Sequence, residues 1–283
     1  MPLTPTAELI GAAALARTGV GAFNVILLEH AEALVAGAEA AQAPVILQIS
    51  ENAVRYHGNL RPLAAATMAV ARTAAVPVAV HLDHATDPAL VDEAVALGFG
   101  SIMYDASGMD YAANEASTRD IAARCHERGC FVEAELGEVG GKDGVHAPGA
   151  RTDPRDARAY ADATGIDALA VAVGTSHAML TRDASVDLDL IGRIHAEVPV
   201  PLVLHGSSGV PDADLRRAVE AGITKVNIAT QLNKVFTAAV RERLGAKPEL
   251  VDPRRYLNAA RDAVAAETAR LLGVLRGTPV TSG

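Results

Sequence analysis

Residues 78–86 read Val78-Ala79-Val80-His81-Leu82-Asp83-His84-Ala85-Thr86, a short apolar β-branched run that ends abruptly in polar, mostly titratable groups. Pro77 sets the start of a strand. In an extended strand Val78 and Val80 point to one face, and Ala79 and His81 to the other. After Leu82 the side chains emerge at the C-terminal edge, where α/β proteins with parallel strands bind ligands and carry out chemistry.

Outward from this stretch, short apolar runs alternate eight times with longer Ala/Leu/Glu/Arg stretches of helical period. The remaining predicted strands are Gly19–Val25, Pro44–Ser50, Ser101–Asp105, Phe131–Leu136, Asp167–Gly174, Pro201–His205 and Thr224–Asn227. Helix-like segments fill the intervals. Asp87 before Pro88 and Asp153 before Pro154 are N-terminal signals, and Gly98, Gly129, Gly165 and Gly222 are C-terminal ones. A strand–helix unit repeated eight times in about 250 residues predicts an α/β fold, a closed (β/α)8 TIM barrel forming one domain over 1–283. A doubly wound open sheet is the alternative, and no GxGxxG follows the first strand to support it. Two segments fall outside the rhythm. One is a Gly-rich polar loop at about 137–152, expected to be a mobile cover of the site. The other is a final helix at about 254–275, with Leu257, Ala260, Val264, Thr268, Leu271 and Leu275 on one face.

Composition narrows the function. The 283 residues are 50% hydrophobic, enough for one large core, and the net charge of -9 with no Lys/Arg cluster argues against nucleic acid and anionic membrane as partners. No apolar run approaches the ~20 residues of a membrane span, and the start of the chain does not read as a leader, so the expected location is cytoplasmic. Cys125 and Cys130 form no CxxC pair and are expected to be buried free thiols.

Nearly every predicted strand ends in a polar group: Asn24, Ser50, Asp83 and His84, Asp105, Glu135, Ser176 and His177, His205, and Asn227. In a barrel these ends converge on one mouth. His84, His177 and His205 would then form a three-imidazole site for a catalytic divalent ion, zinc first by ligand type. Asp105 and Glu135 are placed to orient those histidines or to hold the metal in another position. Asp83, beside His84, is the candidate general acid or base. The stretches His205-Gly206-Ser207-Ser208-Gly209 and Asn227-Ile228-Ala229-Thr230 follow strands seven and eight, the usual phosphate corner of such barrels.

HLDHAT, EAELGEVGG, VGTSHA, VLHGSSG and KVNIAT, in this order, resemble the class II, metal-dependent ketose-bisphosphate aldolases, and the resemblance runs from GAFNV at Gly21 to DPRRYL at Asp252. It implies reversible cleavage of a phosphorylated ketose, tagatose or fructose 1,6-bisphosphate among them, to dihydroxyacetone phosphate and an aldehyde, with one zinc ion per chain polarising the ketone. It assigns His84, His177 and His205 to zinc, and Asp83 to the proton of the cleaved hydroxyl. Gly206, Ser207, Ser208 and Asn227 to Thr230 would hold dihydroxyacetone phosphate. It also implies a homo-oligomer, dimer or tetramer, in which Arg254 of the DPR motif reaches a neighbouring subunit's site and binds the distal phosphate.

Three positions depart from the family pattern. Ala178 stands where the family has Gly beside a monovalent-cation site, which puts that cation in question. The loop is one residue shorter, with Lys142 near the place of a proton-abstracting Glu, so Asp143 or Glu138 is the expected base. Ala229 replaces an Asp found in some fructose-bisphosphate enzymes, which points toward tagatose 1,6-bisphosphate or another non-glycolytic ketose phosphate. Two alternatives remain: a Schiff-base aldolase using Lys225, which shares strand parity with Asn227, and a non-catalytic barrel that binds sugar phosphates.

Overall fold

The computed structural model describes residues 3–136, 151–177 and 179–277. Eight parallel strands close into a barrel in sequence order: β1 (Val20–Asn24), β2 (Val45–Ser50), β3 (Val78–Ala85), β4 (Ser101–Tyr104), β5 (Phe131–Glu135), β6 (Ala168–Ala170), β7 (Leu202–Leu204) and β8 (Ile223–Ile228). The last pairs with the first, Ala22 opposite Asn227. The TIM barrel expected from the eightfold rhythm is the fold observed.

Around it lie α2 (Leu28–Ala40), α4 (Leu60–Thr73), α5 (Pro88–Ala96), α6 (Tyr111–His126), α7 (Pro154–Thr164), α8 (Leu188–Glu197), α9 (Asp212–Ala221), α10 (Thr230–Ala246) and α11 (Pro253–Leu275). Side chains start several of them: Asp87 accepts from Ala89 N, Asp153 from Arg155 N and Asp156 N, and Asp252 from Arg254 N. Two further helices were not anticipated. α1 (Thr6–Ala16) is Ala-rich and weakly patterned, and α3 (Glu51–His57) is a polar seven-residue helix that starts directly at the end of β2. Strand six is also shorter than predicted. Past Ala170 one more bond runs to β7, from Val171 N to Val203 O at 3.2 Å, and Ala172 then pairs with Thr152, whose N–H donates to Ala172 O at 3.0 Å and whose hydroxyl accepts from Ala172 N at 2.8 Å.

The alternation along β3 sorts two cores. Val78, Val80 and Leu82 face outward into the main layer between strands and helices, whereas Ala79 faces inward with Val20, Ala22 and Ile46 against Leu9, Ile10 and Ala13 of α1. Helix α1 thus plugs the N-terminal mouth. At the first turn of the plug the contact is polar, Thr6 Oγ1 donating to Ser101 Oγ at 2.7 Å, which lies 2.8 Å from His81 Nδ1, and Met103, Ala168, Ala170 and Val203 form a separate small apolar cluster. On the outside, α11 packs on α2 so closely that a Cβ on Gly37 would overlap the Ala265 carbonyl, so glycine is required there. Cys125 and Cys130 are both buried and free. No helix among the described residues is long and apolar enough to cross a membrane.

Candidate active site

The C-terminal mouth collects side chains that are far apart in sequence. His84 comes from β3, His177 from the segment after β6, and His205 directly follows β7. Ligand-type atoms of these three all lie within 4.8 Å of one another, and they are the residues the described structure groups in this way. His84 Nδ1 lies 2.7 Å from Asp105 Oδ2. That carboxylate is itself held, since its Oδ1 accepts from Ser107 Oγ at 2.6 Å and Ser107 N at 3.2 Å. An ionised carboxylate only accepts, so the proton sits on His84 Nδ1 and the lone pair of Nε2 is presented to the cluster. His205 Nε2 lies 2.9 Å from Glu133 Oε1 and 3.1 Å from Asn227 Nδ2, and of these two neighbours the carboxylate, the closer, accepts its proton. The opposite nitrogen, Nδ1, makes no hydrogen bond and stands 3.4 Å from Glu135 Oε2.

Burial, with His84 and Lys225 nearby, holds His205 well below the usual imidazole range, so it is neutral, the form that ligates. The donor set fits a divalent cation: three imidazoles, two with their tautomers set by carboxylates, and an uncommitted lone pair at His205 Nδ1. Asp105 stands behind His84 and Glu133 behind His205, whereas Glu135 lies on the open Nδ1 side of His205. His84 has φ 50°, the left-handed region, at a cost of about 1–2 kcal/mol that its surroundings must offset.

Asp83 is buried beside the cluster, in register with Ser50 across β2 and β3. Asn24 Nδ2 donates to its Oδ2 at 3.3 Å and Asn227 Nδ2 to its Oδ1 at 3.2 Å. Gln48 Nε2 donates to Asn24 Oδ1 at 2.7 Å and so fixes which end of that amide faces Asp83. Burial alone would push the Asp83 carboxyl up, but neighbouring positive charge, that of Lys225 included, outweighs it and the net shift is downward. Asp83 therefore starts as a carboxylate able to take a proton.

Asp83, His84, His177, Asn24, Ser50 and Asn227 line a cavity of about 410 Å³. Its far side is the corner made by Gly206, Ser207, Ser208, Ala229 and Thr230. Gly206 has φ 66° and backs onto Ser176, leaving no room for a side chain. Ser208 Oγ accepts from Ala229 N at 3.3 Å and Gln231 N at 3.2 Å, so a hydroxyl caps the start of α10, which opens on the cavity. A helix N-terminus beside small residues is a setting for an anion.

Not every predicted residue is brought here. Ile228 is buried off the cavity, and Arg254, with its side chain 89% exposed at the start of α11, pairs with Asp252 and lies away from it. Glu138, Lys142, Asp143 and Ala178 lie outside the described residues. Lys225 does point inward but is fully buried, its ammonium 2.7 Å from Glu133 Oε2, and it does not line the cavity. Sequence reasoning missed Gln48, Asn52, Tyr56 and Asn233, all of which line it. Gln48 carried a signal, as the polar residue two before Ser50 in the otherwise apolar run Val45-Ile46-Leu47-Gln48-Ile49. Asn52 and Tyr56 ride on the unanticipated α3.

Residues 4–278 match the family described as fructose-bisphosphate aldolase class-II. A fructose-bisphosphate aldolase of Thermus caldophilus is 40% identical over 273 residues, covering 87% of this chain and 89% of that protein. One from Geobacillus stearothermophilus is 36% identical over 280 residues, covering 98% and 96%. Among solved structures, the YdjI aldolase from Escherichia coli K12 superposes with a TM-score of 0.82 at 30% identity, covering 98% of this chain and all of that one.

Proposed function

The chain belongs to the class-II fructose-bisphosphate aldolase family, whose members are lyases, and from that premise we propose that it is a zinc-dependent enzyme cleaving a ketose bisphosphate to dihydroxyacetone phosphate and an aldehyde. The observation that carries this reading is the convergence of His84, His177 and His205 beside the buried carboxylate of Asp83. The chemistry a zinc ion on those imidazoles supplies is Lewis-acid polarisation of the ketone carbonyl.

The rest falls to the chain. In the cleavage direction Asp83, oriented by Asn24 and Asn227, takes the proton from the hydroxyl that becomes the aldehyde oxygen. The electron pair of the broken carbon–carbon bond passes to the ketone half, which is then protonated at carbon. In the reverse direction a loop carboxylate, Asp143 or Glu138, removes that carbon-bound proton, and Asp83 returns its own. Gly206, Ser207, Ser208 and the start of α10 hold the phosphate of the ketone half. Arg254 serves the distal phosphate of a neighbouring copy, a role that suits its exposure away from its own cavity.

Ala229 lines the cavity without a polar group, which favours a tagatose-like or other non-glycolytic ketose phosphate over the fructose 1,6-bisphosphate of the relatives' names. The test is aldol cleavage across a panel of ketose phosphates, with and without chelator. Cleavage lost on chelation and restored by zinc is expected. Cleavage indifferent to chelator would overturn the zinc assignment, and a fructose preference of about tenfold or more, ~1.4 kcal/mol, would overturn the substrate preference.

A further inference from the structure

The strained residue of the cluster is held from outside the cavity wall. His84 sits at φ 50°, where the β3–β4 register shifts between Leu82 and Ala85. The ladder's last bond here runs from Asp105 N to Ala85 O at 2.8 Å, and the next amide, Thr86 N, donates instead to Glu51 Oε2 at 2.5 Å. Thr86 Oγ1 adds bonds of 3.1 and 3.0 Å to the two oxygens of the same carboxylate.

Glu51 is itself well fixed. It is the first residue of α3, directly after the capping Ser50, where open backbone N–H groups favour a carboxylate, and Arg55 one turn on pairs with Oε1. It is buried and absent from the cavity wall. A left-handed histidine persists only where its flanking peptides are over-determined. Asp105 orients the ring from one side; the backbone beyond the ring depends on Glu51.

We propose that Glu51 is a positioning residue for the metal site, its carboxylate clasping Thr86 so that His84 keeps the left-handed turn that aims its imidazole at His177 and His205. This rests on the reading of the three histidines as zinc ligands. The clasp also ties the end of β2, which carries Ser50, to the end of β3, which carries Asp83 and His84.

The test compares zinc affinity, by competition with a chromophoric chelator, for the wild-type protein, Glu51→Ala, Glu51→Gln and Thr86→Val, with thermal unfolding of each metal-free protein. Partners that orient metal ligands typically govern about 10- to 100-fold in affinity. Glu51→Ala should lose that much while staying folded. Glu51→Gln, whose carboxamide oxygen still accepts from Thr86 N–H, should recover most of it, and Thr86→Val, which keeps the amide bond, should lose less than Glu51→Ala. If Glu51→Ala does not fold, Glu51→Asp takes its place. It keeps a carboxylate at the start of α3 but ends one methylene short of Thr86, and it should show the same weakening. Wild-type affinity in the folded Ala or Asp variant would overturn the inference alone. A wild-type protein that does not bind zinc would overturn the reading of the site and the inference with it.

Discussion

The ammonium of Lys225 lies 2.7 Å from Glu133 Oε2 with neither side chain exposed to solvent, and the other oxygen of that carboxylate bonds His205 Nε2 at 2.9 Å. A charge pair deep in the barrel thus stands directly behind a proposed ligand. Replacing Lys225 by Met leaves the Glu133 charge buried and uncompensated, which costs about 3–5 kcal/mol for pairs of this kind. Chemical denaturation should show that loss, and the double variant Lys225→Met/Glu133→Gln should recover part of it. The same seal means that borohydride with dihydroxyacetone phosphate should leave Lys225 unlabelled. A trapped adduct on Lys225 would restore the Schiff-base alternative.

His177 contributes one of three imidazoles, so His177→Ala leaves an incomplete set. Metal analysis after dialysis should give about one ion per wild-type chain and close to none for the variant, and cleavage should disappear with it. Retention of both metal and rate would remove His177 from the site.

Exchange of the carbon-bound proton of dihydroxyacetone phosphate with deuterated water isolates the base. Asp143→Asn or Glu138→Gln should slow exchange by about 10²-fold or more, the usual scale for a general base, with zinc content unchanged. If neither does, the proton leaves by another route.

His30 gives the acid stability a measurable limb. It is buried, stacked on Phe236 with ring centroids 4.8 Å apart, and its Nδ1 accepts from Leu27 N at 3.2 Å. Burial lowers it from 6.5 to about 4. The folded state therefore prefers the neutral ring. Its contribution is fully present above the unfolded value near 6.5 and is lost as pH falls toward 4, up to about 3 kcal/mol in all. His30→Gln, which keeps an acceptor for Leu27 N, should flatten the dependence of unfolding free energy on pH across that window. An unchanged slope would place the titration elsewhere.

How much of this could be read without coordinates follows from how local each cue is. The parity of Val78, Val80 and Leu82 against Ala79, His81 and Asp83 is set by neighbouring residues alone, and so is the polar residue closing each strand. The closed barrel and the mouth where His84, His177 and His205 meet were legible from them. Lys225 was rightly placed on the inward face, but its partner Glu133 is 92 residues away, and no local rule pairs them. Glu51 and Thr86, 35 residues apart, are hidden in the same way. Helix α3 escaped notice because seven polar-rich residues are too few to show a helical period. With it went Asn52 and Tyr56, which line the cavity from that helix.

The pairing of β1 with β8 bears on the order of events during synthesis. About two hundred residues separate the two strands, which at ~5–20 residues per second is ~10–40 s of translation. Throughout that interval β1 keeps one edge without its partner, and Gly37 waits for the helix bearing Ala265 that packs on it. An open strand edge is a template for unwanted pairing. The ring therefore seals late, on the ribosome's schedule, and slowing translation between β7 and β8 should increase capture of the nascent chain by other strands.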